Sequence, residues 1–299
     1  MTDQRRERLG FIGLGDMGLP MAERLINSGA ALSVFDLKAE PLRLGAAAGA
    51  IPRPSVAEVA RNSDIVFVCV VDSDQVLDVV IGPAGLLRAW EARATDCPTP
   101  LVVVHSTVTP SIIKSLVGPA QAVGARVLDA AVSGGRAVAA EGKLTIMVGG
   151  AERDVRRCQP FFDAMATSLF HISDEPGSGA MAKLCNNVMA LCNAFATLEA
   201  TKLAQAYGIQ EEKLMTIASA STGDSWFVRN WGFIDRIMAT HDFPESTMTK
   251  DLVYAVEAAS EAGIDLPLVR TTIEVAPALL RERLDVHSHQ SVQTTREAL

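Results

Sequence analysis

Residues 9–36 read LGFIGLGDMGLPMAERLINSGAALSVFD. An apolar run, Leu9–Ile12, enters the glycine loop Gly13-Leu14-Gly15-Asp16-Met17-Gly18. Helix formers follow from Pro20 to Ser28, and a second apolar run, Leu32–Phe35, ends at Asp36. Strand, turn, helix and strand in this order form the opening half of a dinucleotide-binding βαβ unit. The glycines have separate physical tasks. Gly13 turns the chain off the strand, Gly15 lets a pyrophosphate approach the backbone, and Gly18 lets helix and sheet pack closely. The helix then points its N–H groups and positive dipole end at the loop, which suits phosphate. A lone GxGxxG is weak evidence, because glycine loops also make ordinary turns. Here the strand before it, the helix after it and the acid 18 residues past Gly18 complete the pattern.

Asp36 is expected to accept hydrogen bonds from the adenine-ribose hydroxyls and to repel a 2′-phosphate. Lys38 is near, but no arginine follows directly. NAD is therefore expected in preference to NADP. The competing reading of Asp36 is a solvated residue at a strand end.

Outward from this segment, apolar runs recur at Ile65–Val71, Leu101–His105, Val127–Ala131, Leu144–Val148 and Leu169–Ile172. Runs rich in Val and Ile, without polar alternation, are how strands covered on both faces read, as in a parallel sheet. Val56–Asn62, Gln75–Val80, Ser111–Val123 and Asp154–Met165 read as the intervening helices. Alternation of this kind predicts a doubly wound α/β sheet of Rossmann type with right-handed crossovers. The character changes at Pro176-Gly177-Ser178-Gly179. From Ala180 to Tyr207 there is no Gly or Pro, which predicts one long interdomain helix. Further helices are expected at Glu211–Ala220, Arg229–Met238, Thr247–Ala262 and Leu268–Leu284, and no strand after Ile172. The chain is thus expected to pair a Rossmann-type domain, residues 1–175, with an all-α domain, residues 176–299. The polar stretch 286–299 reads as a fraying tail.

Composition removes other classes. The charge balance of 27 basic against 35 acidic residues gives a net −8, which offers no general attraction to nucleic acid or anionic lipid. The longest apolar run has seven residues, against roughly 20 for a membrane span. The polar first eight residues lack the apolar segment of a signal peptide. Five cysteines, none in CxxC spacing, argue against a disulfide framework or a structural zinc site. No metal is expected, and the location implied is cytoplasmic.

Three further segments carry chemistry. His105-Ser106-Thr107-Val108-Thr109-Pro110 and Val132-Ser133-Gly134-Gly135 lie at the carboxyl ends of expected parallel strands, where such folds bind ligands. The third is Gly177-Ser178-Gly179-Ala180-Met181-Ala182-Lys183-Leu184-Cys185-Asn186-Asn187, at the head of the long helix. Lys183 and Asn187 are i and i+4, on one helix face. A lysine there is able to exchange a proton with a hydroxyl or carbonyl if burial or a cationic neighbour lowers its pKa from about 10.4. Taken alone, Lys183 reads equally as a surface lysine with a buried stem.

Together these pieces resemble the β-hydroxyacid dehydrogenase family, which includes 3-hydroxyisobutyrate dehydrogenases and tartronate semialdehyde reductases. The matching stretches are FIGLGDMGLPMAERL, HSTVTP, DAAVSGG followed by EGKLTIMVGG, GSGAMAKLCNN, and TKDL near residue 250, in the family's order. The resemblance implies that Gly13, Leu14, Gly15, Asp16, Met17 and Gly18 bind the cofactor, with Asp36, Val70 and Val71 toward its adenosine side. It implies that Thr107 lies near the nicotinamide and that Ser133, Gly134 and Gly135 hold the substrate carboxylate. Lys183 is similar to the family's catalytic lysine and Asn187 to its substrate-positioning asparagine. Lys250 is similar to a lysine that reaches back to the cofactor, and Asp251 stands beside it on the substrate side. The expected partner is a short hydroxy acid or semialdehyde, and the expected assembly is a homodimer or homotetramer. Ala131 stands where the family usually has proline, which relaxes the substrate loop. The segment Ser221–Phe227 matches nothing standard. Trp226, Phe227 and Trp231 read either as pocket walls or as packing between helices or subunits. Two other functions remain to be weighed: an imine-reducing relative, which usually lacks the lysine, and a non-catalytic dinucleotide-binding scaffold.

Overall fold

The computed structural model describes residues 7–93, 97–238 and 245–297. It divides into two compact units, the first ending at Lys183 and the second beginning at Leu184. The sequence boundary expected at 175/176 lies at the foot of the long helix, and the compact units divide eight residues later, within that helix.

The first unit holds strands β1 (Leu9–Ile12), β2 (Leu32–Phe35), β3 (Ile51–Pro52), β4 (Ile65–Val68), β5 (Leu101–Val104), β6 (Arg126–Ser133), β7 (Leu144–Gly149) and β8 (Ala166–Ser173). They form one sheet in the order β3-β2-β1-β4-β5-β6-β7-β8. Its helices are α1 (Gly18–Asn27), α2 (Ala39–Ala47), α3 (Val56–Arg61), α4 (Ser73–Ile81), α5 (Leu86–Trp90), α6 (Pro110–Ala122), α7 (Gly135–Ala140) and α8 (Glu152–Met165).

Successive strand residues feed opposite faces. Phe11, Val34, Phe67, Val103, Leu128 and Ile146 pack with α1 and α8 residues such as Met21, Leu25 and Phe162 in one core. Val66, Val68, Val102 and Val104 pack with Val76, Leu86, Trp90, Ile113 and Leu116 in the other. Each face is therefore apolar, which is why these strands carry no polar alternation. Burying one such Leu or Phe is worth about 1.5–3 kcal/mol, so the sheet is a rigid frame for whatever its edges carry.

The sheet departs from the purely parallel expectation at one place. β6 and β7 are antiparallel, with Asp129 opposite Gly149 and Ser133 opposite Thr145. Only the six-residue α7 and a short turn join them, too little chain for a parallel crossover. The remaining pairs are parallel. Strand β3 and helices α2, α5 and α7 were not expected; each is short or rich in Ala and Gly, and its periodic signal is weak.

The remaining helices are α9 (Ser178–Ala206), α10 (Glu211–Ser219), α11 (Trp226–Arg229), α12 (Phe233–Met238), α13 (Glu245–Glu261) and α14 (Pro267–Glu297). Helix α9 has 29 residues and opens in the first unit. In the second unit Phe195, Leu198, Phe227, Ile234, Leu279 and Leu280 form the main core, and Leu184, Ala255 and Ala258 a smaller one. Strand β8 is the last strand among the described residues. The stretch 286–297, expected to fray, continues α14 as helix, and 298–299 lie outside the described residues, as do residues 1–6. No described helix is long and apolar enough to cross a membrane.

Candidate active site

The glycine loop lies where the strand order reverses, between β1 and its neighbours β2 and β4. That is the switch point at which open α/β sheets bind ligands. The three glycines differ in what surrounds them. Gly13 has φ +90°, and a Cβ there would lie 2.2 Å from the Cys69 carbonyl oxygen. A Cβ on Gly18 would lie 1.9 Å from the Gly13 carbonyl oxygen. Around Gly15 nothing stands within 4 Å of an added Cβ. Two glycines therefore close the loop and the third faces open space, the cradle a pyrophosphate requires. The N-cap of α1 is Met17, which supplies no side-chain cap, and the first turn has no acid, so its N–H groups are not consumed by side chains.

Asp36 follows β2 and does more than the sequence suggests. Its Oδ2 accepts the Leu14 N–H at 2.7 Å, and its Oδ1 accepts the Lys38 N–H at 2.8 Å. The carboxylate thus ties the glycine loop to the end of β2. Asp16, in the loop, is exposed and lies 3.5 Å from Arg136, which sits just after the Ser133-Gly134-Gly135 turn.

Strand β4 ends at Val68, so Val70 and Val71 emerge beyond its carboxyl end. The Val70 N–H donates to the Ser106 hydroxyl at 2.8 Å, and Val71 is 68% exposed. Thr107 follows β5 in the same row of strand ends. His105, read as structural, is deeply buried, with Nδ1 2.6 Å from the Ala130 carbonyl oxygen and its ring stacked on Phe67. Burial pushes it down to about 4, so it is neutral and has no part in proton chemistry near pH 7.

Ser133 ends β6, and Gly134 and Gly135 have φ of +138° and +76°. Residues with side chains rarely adopt these angles, and a Cβ on Gly134 would meet Val138 at 2.7 Å. α7 starts at once after this turn, with Gly134 as its N-cap.

Lys183 lies six residues into α9 and is 8% exposed. It is therefore not a solvated surface lysine. Four residues on, in the second unit, the Asn187 side-chain amide donates to the Asp251 carboxylate at 2.5 Å. Lys250 stands 4.0 Å from Asp251 and 5.6 Å from the centroid of the Tyr254 ring. Asn187, Lys250 and Asp251 are thus one polar cluster between α9 and α13 of that unit. Asp251, expected to meet substrate, is in this structure the partner that orients Asn187.

Trp226, Phe227 and Phe233 pack edge to face with one another, and Trp231 lies under Arg283, which also grips Glu211 and Asp235. Phe227 is buried in the packing of the second unit, Trp226 is 45% exposed, and Trp231 lines a cavity of that unit with Glu211, Val228, Asp235 and Arg283, so both readings keep support. Two side chains escaped the sequence reading: Ser106, which holds Val70, and Asp129, buried in mid-β6. An acid inside the apolar run Val127–Val132 was the available signal for the second.

The family model described as the NAD binding domain of 6-phosphogluconate dehydrogenase matches residues 8–173. A second, described as NAD-binding of NADP-dependent 3-hydroxyisobutyrate dehydrogenase, matches 177–293. The chain is 33% identical over 284 residues to the NAD-dependent L-serine dehydrogenase of Pseudomonas aeruginosa, covering 92% of this chain and 93% of that protein. It is 32% identical over 272 residues to the 2-(hydroxymethyl)glutarate dehydrogenase of Eubacterium barkeri, covering 90% and 87%. Among solved structures, Mycobacterium tuberculosis 3-hydroxyisobutyrate dehydrogenase with L-serine superimposes with a TM-score of 0.79 at 27% identity, covering 91% and 93%. An imine reductase from Myxococcus stipitatus, at 16% identity, shares the fold alone.

Proposed function

The chain belongs to the β-hydroxyacid dehydrogenase family, and on that premise we propose that it oxidises a short hydroxy acid, or reduces the matching semialdehyde, with Lys183 as general acid–base. Membership makes it an NAD(P)-dependent oxidoreductase. The open cradle at Gly15, the uncapped first turn of α1 and the acid Asp36 fit a dinucleotide. The loop Gly13 to Gly18 holds its phosphates, Asp36 its adenine ribose, and Val70, Val71 and Thr107 its flanks. By the family resemblance, Lys250 has the same role. The preference is for NAD, because Asp36 brings negative charge to the place a 2′-phosphate would occupy.

When bound, the nicotinamide supplies the hydride acceptor. The chain's own residues do the rest. Ser133, Gly134 and Gly135 hold the substrate carboxylate through N–H groups and a hydroxyl. Lys183 Nζ takes the hydroxyl proton in oxidation and returns it to the carbonyl oxygen in reduction. As an ammonium it also stabilises negative charge developing on that oxygen. Asn187, held by Asp251, orients the substrate.

The observation that carries this reading is the buried lysine at the head of α9, in the same unit as the glycine loop. It also weighs against the imine-reducing alternative, whose members usually replace that lysine, and against a non-catalytic scaffold. The relatives make L-serine and 3-hydroxyisobutyrate the first substrates to try. A panel of short hydroxy acids and semialdehydes, followed at the nicotinamide absorbance with NAD and with NADP, tests the reading. Turnover of at least one acid, faster with NAD, is expected; no turnover across the panel defeats it.

The same reading places the protein in the cytoplasm. It also makes the second unit an oligomerisation domain. Exposed Leu203, Tyr207, Ile209 and Leu268 there favour a homodimer or homotetramer, which mass photometry would reveal.

A further inference from the structure

Asp129 is a carboxylic acid in the middle of a sheet strand, 1% exposed. It needs an explanation, because burying an unpaired carboxylate is costly. Its Oδ1 accepts the Gly177 N–H at 2.7 Å, and its Oδ2 accepts the Ala180 N–H at 2.6 Å. These donors flank the start of α9, whose first-turn N–H groups have no partner within the helix. The acid therefore caps the long helix from a neighbouring strand.

The cap requires an unusually close approach, and the glycines around it permit that. A Cβ on Gly149 would stand 2.6 Å from Asp129 Oδ1. A Cβ on Gly179 would stand 2.4 Å from the Met147 carbonyl oxygen and 2.9 Å from Asp129 Oδ2. Gly177 takes φ +97°. Ala180 is buried in the core on one face of the sheet. Nothing in the proposed chemistry uses Asp129, yet three glycines and a helix start are arranged around it.

Lys183 lies three residues after Ala180, about 4.5 Å farther along the helix axis. Ser133 lies four residues after Asp129 on the same strand, about 13 Å away. One carboxylate thus ties the strand that ends in the substrate loop to the turn that precedes the lysine. We propose that Asp129 is a positioning residue: it seats the first turn of α9 on β6 and cancels the positive end of that helix, which sets the place and the charge state of Lys183. This rests on Lys183 being the general acid–base. Burial drives the Asp129 carboxyl above the usual carboxylate range, and the bonds from Gly177 and Ala180 oppose that drive.

The test uses Asp129→Asn, which keeps the shape, loses the charge and replaces one acceptor by a donor. It is made in the natural protein and in Lys183→Ala, and compared for kcat, KM, NAD affinity and the pH profile of kcat. A displacement of about 1 Å in a catalytic group costs up to about 10²-fold, so kcat should fall roughly 10- to 100-fold with NAD affinity unchanged. An uncompensated helix N-terminus disfavours an ammonium, so the acid limb of oxidation should move down by about 0.2–0.7 pH unit. In the Lys183→Ala background Asp129→Asn should cost nothing more. A merely structural acid would lower the folded fraction and leave kcat per folded molecule and the acid limb unmoved; that result overturns the proposal. So does an equal loss in both backgrounds. A severe Lys183→Ala beside a silent Asp129→Asn defeats this proposal alone. Normal turnover by Lys183→Ala defeats the general-base reading and this inference with it. If Asp129→Asn does not fold, Gly179→Ala lifts the same turn while keeping the charge; it should lower kcat without moving the limb, and an unchanged kcat overturns the proposal.

Discussion

The two units build their polar sites by opposite means. In the first, the candidate site is framed by backbone N–H groups aimed by glycines and helix starts, and the two acids beside it, Asp36 and Asp129, accept from backbone, while side-chain pairs such as Asp64 with Arg8 and Arg93 lie elsewhere in the unit. In the second, side chains pair with side chains: Asn187 with Asp251, and Arg283 with Glu211 and Asp235. A backbone frame carries donors without net charge and cannot drift with a rotamer, which suits a site that must meet an anionic ligand in one geometry. A side-chain frame spends its charges on itself and suits the holding together of short helices. Activity should therefore be most sensitive to single changes in the first unit, and stability to changes in the second.

Lys183→Ala makes the strongest test of that division. It should cut kcat by about 10²–10⁴-fold with NAD binding unchanged, and Lys183→Arg should not restore it, because guanidinium keeps its proton. Asn187→Ala, in the other unit, should lose less. Equal losses in steady-state kinetics would erase the contrast between the units.

Arg283 is the counterpart in the second unit. Its side chain is 8% exposed, between two carboxylates and over Trp231. Arg283→Met leaves Glu211 and Asp235 facing each other and should cost about 2–4 kcal/mol of stability, less than for a fully buried pair because both acids are partly solvated. Urea denaturation measures it. A loss of kcat per folded molecule as large as that of Lys183→Ala would contradict the assignment of Arg283 to stability.

His105 sharpens the picture within the first unit. It titrates near 4 in the fold against about 6.5 in an unfolded chain, so unfolding takes up a proton between those values. Its contribution to stability is complete above about pH 6.5 and fades as pH falls toward 4, by up to about 3 kcal/mol. His105→Gln should flatten the stability–pH curve over that window. A variant curve as steep as that of the natural protein would show that other groups set it.

Asp36→Ala should have the smallest effect. It removes the repulsion of a 2′-phosphate and so narrows the preference for NAD. It also frees Leu14, so NAD affinity itself should drop by about 1 kcal/mol, near five-fold. Fluorescence titration with both cofactors separates the two effects; an unchanged NAD affinity would show that the Leu14 bond is incidental.

Much of the first unit was readable because its devices are local. Only glycine tolerates the φ of Gly13, Gly134 and Gly135, so the loops announce themselves in consecutive letters. The antiparallel β6–β7 pair was not readable, because a strand covered on both faces looks the same in either direction. The helical continuation of α14 through 286–297 was not readable either, since its polar residues carry no clear period. The Arg283 network joins residues 48 and 72 positions apart, and no spacing marks such a pair.

Sequence alone determined the alternation of the longer strands and helices, the glycine loop with its acid, the lysine helix and the family they resemble. Each is a short-range pattern that backbone sterics or hydrophobic period imposes on neighbouring residues. Tertiary structure alone decided what the acids do. Asp36 turned out to hold Leu14, and Asp129 to cap α9 from 48 and 51 residues away. A carboxylate's role depends on which donors reach it, and those donors came from segments that meet only when the sheet has packed.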